Sequence, residues 1–163
     1  MTHHSIKWDP ARPHVLVIAC SDGRCQEQTD EFLSLQLNIE QYDRLYVPGG
    51  PGALCPSGVE YLRADYYRRE CNFLLDAHDI EQVVLLFHSG AADGPDEAMC
   101  ADYRRKLPYR TTAELRAQQE MDARELIQHV SAFHGKVRIH LYRAEVGLDG
   151  AVAFTNMRPS NSR

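Results

Sequence analysis

Three features of the sequence predict an α/β fold in three layers, built on a mostly parallel central sheet of about four strands with an added antiparallel edge strand. The first is Val15-Leu-Val-Ile-Ala-Cys20, an apolar, largely β-branched run that enters a polar turn. A strand apolar on both faces belongs in the middle of a parallel sheet. The second is Val83-Val-Leu-Leu-Phe-His88, which repeats the pattern and ends on an imidazole. The third is a helix-like stretch placed between two strand runs, the arrangement of a βαβ unit.

The 163 residues suit a single domain, 1–163, with 1–13 as an N-terminal arm and 156–163 as a loose tail. Strand one covers 14–19. Residues 25–37 carry Phe32, Leu33, Leu35 and Leu37 among polar neighbours and read as a helix. A short strand, 44–47, runs into Pro48-Gly-Gly-Pro-Gly52, too rich in Gly and Pro for regular structure. Such a loop either brings backbone close to a ligand or another chain, or is a plain tight turn.

Ser57 and Glu60 have capping-box spacing. Val59, Leu62, Tyr66, Phe73, Leu74 and Ala77 then follow near-helical spacing to about His78. The strand 82–87 comes next, then a loop, and Pro95 opens a helix to about Lys106. Thr111 and Glu114 cap a helix over 112–134 with Leu115, Leu126, Ile127, Val130 and Phe133 inward, stopped by Gly135. Residues 137–142 alternate as a half-buried strand, and Asp149-Gly150 turns the chain into a last strand over 151–154.

Composition narrows the function. Net charge is −5 with no basic run, which speaks against nucleic acid as partner. No apolar stretch approaches ~20 residues, so no membrane span is expected. The first residues lack the regions of a signal peptide. Five cysteines, at 20, 25, 55, 71 and 100, are an odd number without a CxxC pair, which fits reduced thiols in the cytoplasm. Cys71 and Cys100 fall inside helical patterns and read as buried small hydrophobes.

The chemistry gathers where the buried strands end, the place where open α/β sheets bind ligands. Cys20 and His88 both follow buried strands, and thiolate and imidazole are good zinc ligands. Asp22 is either a candidate third ligand or the partner of Arg24. The alternative without function is a core thiol beside a turn-stabilising ion pair.

Cys20-Ser21-Asp22-Gly23-Arg24 resembles the C-x-D-x-R signature of the β-class carbonic anhydrases. Residues 47–52 fall where that family has an Arg-Asn-Ala-Gly loop. Residues 83–90 resemble its strand ending in H-x-x-C-G, and 137–142 with 148–150 its closing strand and hairpin. The resemblance spans about 14–155 and suggests the short form of the family. It implies Cys20 and His88 as zinc ligands, Asp22 and Arg24 as a catalytic dyad beside the metal, a bicarbonate-like small anion in the cleft, and a homodimer. The sequence departs from the family in two motifs: the loop has Pro and Gly in place of Arg and Asn, and Ala91, which cannot bind zinc, stands where the second cysteine should be. Asp93, Asp96, Cys25, Cys55 and Cys100 are the residues that could replace it.

From Ala91 the expectation is a degenerate site, with zinc absent or sub-stoichiometric and classical carbon dioxide hydration lost. The cleft would then bind a small anion through Arg24 and the glycine-rich backbone. One competing reading is an active zinc lyase with a rearranged ligand set. Another is metal-free chemistry with Cys20 as nucleophile and His88 as base. A third is a partner-binding protein using the helix 112–134.

Overall fold

The computed structural model describes residues 8–57 and 60–157. Most of the expected arm, most of the expected tail, and Val59 lie outside them. Five strands form one sheet: β1 (Val15–Cys20), β2 (Asp43–Val47), β3 (Gln82–Gly90), β4 (Arg138–Val146) and β5 (Val152–Asn156), in the order β2-β1-β3-β4-β5. The first four are parallel, and β5 pairs antiparallel with β4 at the edge. This is the mostly parallel α/β sheet expected.

Alternation along the central strands divides the core in two. Leu16, Ile18, Val83, Leu85 and Phe87 meet α2 (Tyr61–Ala77) and α4 (Thr112–Phe133) on one face. Val15, Val17, Ala19, Val84 and Leu86 meet Phe32 and Leu33 of α1 (Gln26–Leu37) on the other. Both sets are almost wholly buried. Each of these side chains except Ala19 contributes roughly 1.5–3 kcal/mol of apolar burial, and together they fix the register of β1 against β3.

Helix ends follow local chemistry. Asn38, at φ +54°, ends α1 in the left-handed conformation, and the N–H of Ile39 closes on the carbonyl of Leu33. The capping box of Thr111 and Glu114 is formed at the start of α4. The one proposed for Ser57 and Glu60 is not: Ser57 donates instead to Asp122, 3.0 Å away, and Glu60 pairs with Arg63.

Several apolar residues face outward. Leu35 (α1), Leu62, Tyr66 and Phe73 (α2) and Phe133 (α4) are mostly exposed. In α2 the competing face of Ala64, Tyr67, Cys71 and Leu75 is turned to the core. Polar anchors flank that face: Arg63 reaches Asp102, and Arg68 donates to the Leu54 carbonyl at 2.6 Å.

The helix expected over 95–106 is broken. A 3-10 turn covers Asp96–Ala98, Met99 and Cys100 are extended (ψ 134° and 121°), and α3 covers only Ala101–Lys106. Among the described residues no helix is long and apolar enough to cross a membrane.

Candidate metal centre

The chain leaves β1 for β2 on one side, while β3 lies on the other. The carboxyl ends of β1 and β3 therefore form a topological switch point, the crevice where such sheets bind ligands. The β1–β3 register ends at Ala19 opposite Leu86. Cys20 and His88 follow at that edge.

Cys20, His88 and Cys100 each offer one donor atom, and the three atoms lie within 4.8 Å of one another. The two sulfurs are 3.8 Å apart. Cys100 is buried and stands as the N-cap of α3. The break at Met99–Cys100 takes it out of the helical run and turns it toward the sheet edge.

His88 is 8% exposed. Its Nδ1 is 3.1 Å from the carbonyl of Ala98, which can only accept, so Nδ1 carries the proton. Nε2 is then a lone pair, buried and without a hydrogen-bond partner among the described residues. Gln119 of α4, itself fully buried, donates to the His88 carbonyl at 3.0 Å and fixes the end of β3.

The cysteines are not equivalent. The Cys100 thiol hydrogen-bonds Cys20 and lowers its pKa well below that of a free thiol, against the effect of burial; His88 and the N–H of Gly49, 3.4 Å from the sulfur, act in the same direction. Cys100 is pushed up by that same contact with Cys20 and by burial.

Asp22 and Arg24 pair as the turn allows. Arg24 Nε lies 3.0 Å from both carboxylate oxygens and Nη2 lies 2.6 Å from Oδ2. These bonds hold Asp22 at about 2. Arg24 Nη1 also donates to the Glu97 carbonyl at 3.0 Å, on the loop that leads to Cys100. Asp22 is thus engaged by Arg24 and is not one of the three clustered donors.

Ala91 supplies only its backbone, an N–H bonded to the Val146 carbonyl at 2.9 Å. Asp93 and Asp96 are exposed and outside the donor group. Cys55 is buried and donates to the Asp122 carbonyl. Cys25 lines the cleft beside Asp22 and His88, and burial raises its thiol pKa. Cys100, read from sequence as a buried small hydrophobe inside a helix and also as one possible replacement for Ala91, is buried but stands at the helix cap, among the donors.

The glycine loop approaches its own chain. A Cβ on Gly50 would lie 2.7 Å from the Cys20 nitrogen, one on Gly49 2.3 Å from Asp102 Oδ2, and one on Gly52 2.2 Å from the Tyr103 hydroxyl. Gly49 and Gly50 have φ of +95° and +55°, which favours glycine. The Gly49 N–H, expected to serve an anion, serves Cys20.

Beside the donors a cleft of about 190 Å³ is lined by Asp22, Arg24, Cys25, Gln28, His88 and Val152, among others. A smaller space of about 30 Å³, room for about one water, touches Cys20, Asp22 and His88. The larger cavity of about 390 Å³ lies between α4 and β4, away from these groups.

No family model matches the chain, and no curated protein sequence matches it. Solved structures that align with it include a carbonic anhydrase from Streptococcus mutans (17% identity, TM-score 0.48, 89% of this chain and 82% of that one). The β-carbonic anhydrase CafA of Aspergillus fumigatus aligns at 15% identity and TM-score 0.48, over 91% of this chain and 77% of that one. The β-carbonic anhydrase CcaA aligns at 16% identity and TM-score 0.47, over 93% and 79%.

Proposed function

We propose that this chain is a zinc-dependent lyase of the β-carbonic-anhydrase type, hydrating carbon dioxide to bicarbonate, with Cys20, His88 and Cys100 as its metal ligands. The observation that carries the reading is the convergence of two sulfurs on a buried imidazole whose Nε2 has no hydrogen-bond partner among the described residues. The donor set fits zinc. Two thiolates on a tetrahedral ion, at bonds of about 2.3 Å, stand about 3.8 Å apart, and the sulfurs here are 3.8 Å apart. Two cysteines and one histidine also leave a fourth position open, as catalytic zinc sites require. Cys100 thereby restores the donor missing at Ala91, which reverses the expectation of a degenerate site.

When bound, zinc supplies a Lewis acid that makes a water nucleophilic near neutral pH. The chain's own groups do the rest. The Ala98 carbonyl keeps the His88 proton on Nδ1, so Nε2 stays basic. Arg24 holds the Asp22 carboxylate ionised and turned from the donors, where it can accept a hydrogen bond from a water in the small space between them. The mixed lining of the cleft suits a small apolar substrate and a small anionic product. A homodimer stays part of the reading on the sequence resemblance alone, and the cytoplasm on the odd number of cysteines.

The test is zinc per chain in protein purified without chelator, with carbon dioxide hydration measured by stopped flow. About one zinc per chain is expected, and Cys20→Ser and Cys100→Ser should lose both metal and activity. Wild-type protein with no zinc, or a Cys100→Ser variant that keeps it, overturns the ligand set. In the first case iodoacetamide trapping of Cys20 would show whether metal-free thiol chemistry takes its place.

A further inference from the structure

An ion cluster built around one buried carboxylate lies behind the donors and is not used in the reading above. Asp102 follows Cys100 by two residues, and its side chain is 4% exposed. Arg63 of α2 bonds it through Nη1, at 2.9 and 3.1 Å from the two oxygens. Arg105 adds a contact of 2.8 Å, and Glu60 pairs with both arginines, so two carboxylates face two guanidinium groups. The other end of the Arg63 guanidinium, Nη2, donates to the carbonyl of Pro48. The next residue is Gly49, whose N–H bonds the sulfur of Cys20.

One planar fork thus bridges two pieces of chain that also meet through Lys106, which donates to the Gly52 carbonyl at 2.6 Å, and through the packing of Gly49 and Gly52 on α3. One presents Cys100 from the start of α3. The other presents a backbone donor to Cys20. We infer that Arg63 is a positioning residue for both thiolate donors: it fixes the distance between the Pro48–Gly49 peptide and α3, and so the separation of the two sulfurs. The inference rests on the zinc reading above. Charge supports it. Left without Arg63, Asp102 would keep only the half-exposed Arg105 as a partner, and its buried carboxylate beside the turn that carries Cys100 would oppose negative charge on the sulfurs. Geometry supports it as well. Gly49 packs so closely on Asp102 that no side chain fits between them, so Asp102 limits how near the Gly49 peptide can come to α3. A lysine could keep the charge, but its single ammonium lacks the fork that holds Pro48 and Asp102 together.

The experiment titrates cobalt(II) into metal-free wild type, Arg63→Met, Arg63→Lys and Arg68→Met. The readouts are the dissociation constant and the intensity of the thiolate-to-cobalt charge-transfer band. Arg68 is the control: it is similarly covered (side chain 23% exposed against 20%) and also joins helices to the glycine loop, but it touches neither Asp102 nor Pro48. Arg63→Met should weaken cobalt binding by about tenfold to a hundredfold, the usual effect of removing an outer-shell partner of a metal site. Its band should also be weaker at saturation. Arg63→Lys should fall between it and wild type, and Arg68→Met should stay within about twofold of wild type. If Arg63→Met does not fold, Arg63→Lys decides, with a loss of at least about threefold expected. An Arg63 variant that binds like wild type, or an Arg68→Met loss as large as that of Arg63→Met, overturns the inference and leaves the zinc site standing. A wild type with no charge-transfer band overturns both.

Discussion

Gly52→Ala isolates the packing role of the glycine loop. Gly52 does not have positive φ, so alanine costs little in the backbone there. Space decides the outcome. The new methyl would stand 2.2 Å from the Tyr103 hydroxyl and 2.6 Å from two ring carbons, so the ring or the loop must move by about 1 Å to reach ordinary contact. Tyr103 is 1% exposed and has no free side to move into. Its hydroxyl donates to Asp122 Oδ2 at 2.6 Å, and Asp122 is itself 2% exposed. Burial raises the pKa of that carboxyl; the bonds from Tyr103, Gln118 and Ser57 oppose the rise. Overpacking costs about 1–3 kcal/mol, and weakening a hydrogen bond to a buried charged acceptor adds roughly 1.5–3 kcal/mol. We expect a loss of about 3–5 kcal/mol, a large part of the roughly 5–15 kcal/mol that holds a domain. Urea unfolding should show a lower midpoint with the slope unchanged. Gly23→Ala, where an added methyl meets nothing within 4 Å, should stay within about 0.5 kcal/mol of wild type. Combined with Tyr103→Phe, which removes the closest atom, Gly52→Ala should be milder by about 1 kcal/mol or more. A loss under about 1 kcal/mol, or one indifferent to Tyr103, would refute the account of why glycine stands there.

Asp22→Asn tests the dyad. Asp22 is held at about 2 against an ordinary carboxylate value of 3.8, so its contribution is present above pH 3.8 and fades as pH falls toward 2. Its partner Arg24 is more than half exposed and solvent screens the pair, so the effect is small, under about 1 kcal/mol, and urea midpoints of wild type and variant should converge across that window. A constant difference down to pH 2 would count against the pair. Thiol reactivity gives a second check. In metal-free protein at pH 7, iodoacetamide should label Cys20 first, because its pKa is lowered and it is partly exposed. Cys71, pushed to about 12 by burial, and Cys55, also raised, should label last. Mass spectrometry showing Cys71 modified as fast as Cys20 would contradict this.

The parts of the fold that sequence made legible are those where one force dominates. Residues 15–20 and 83–87 are apolar whichever way the pleat turns, so nothing competes with a central strand, and the dyad and His88 follow from where those strands end. Glu114 has a second oxygen for Arg110 and still forms its box with Thr111, whereas Ser57 and Glu60 turn instead to Asp122 and Arg63. Periodicity misled where two faces of a helix were both plausible. In α2 the arginine anchors favour the face of Ala64 and Cys71 over that of Leu62 and Phe73. Cys100 was hidden for a related reason. Helix-forming residues continue through 96–106, and the break at Met99–Cys100 comes from contacts distant in sequence: Asp102 to Arg63, the Ala98 carbonyl to His88, and the Glu97 carbonyl to Arg24. The sequence does hold one clue, an unassigned thiol shortly after His88 in a site short of one donor.

The cap position of Cys100 has a consequence for how such a centre could change over time. A cysteine three residues beyond the histidine is bound to the strand and tolerates no insertion between them. A cysteine on the first turn of a separate helix is tethered by the nine residues from Ala91 to Met99, much of whose surface is free. That tether can lengthen, shorten or drift in composition while the helix still returns its sulfur to the same point. Residue spacing is then a poor guide to which chains share this centre, and the thiol at the head of α3 is the better signature to search for.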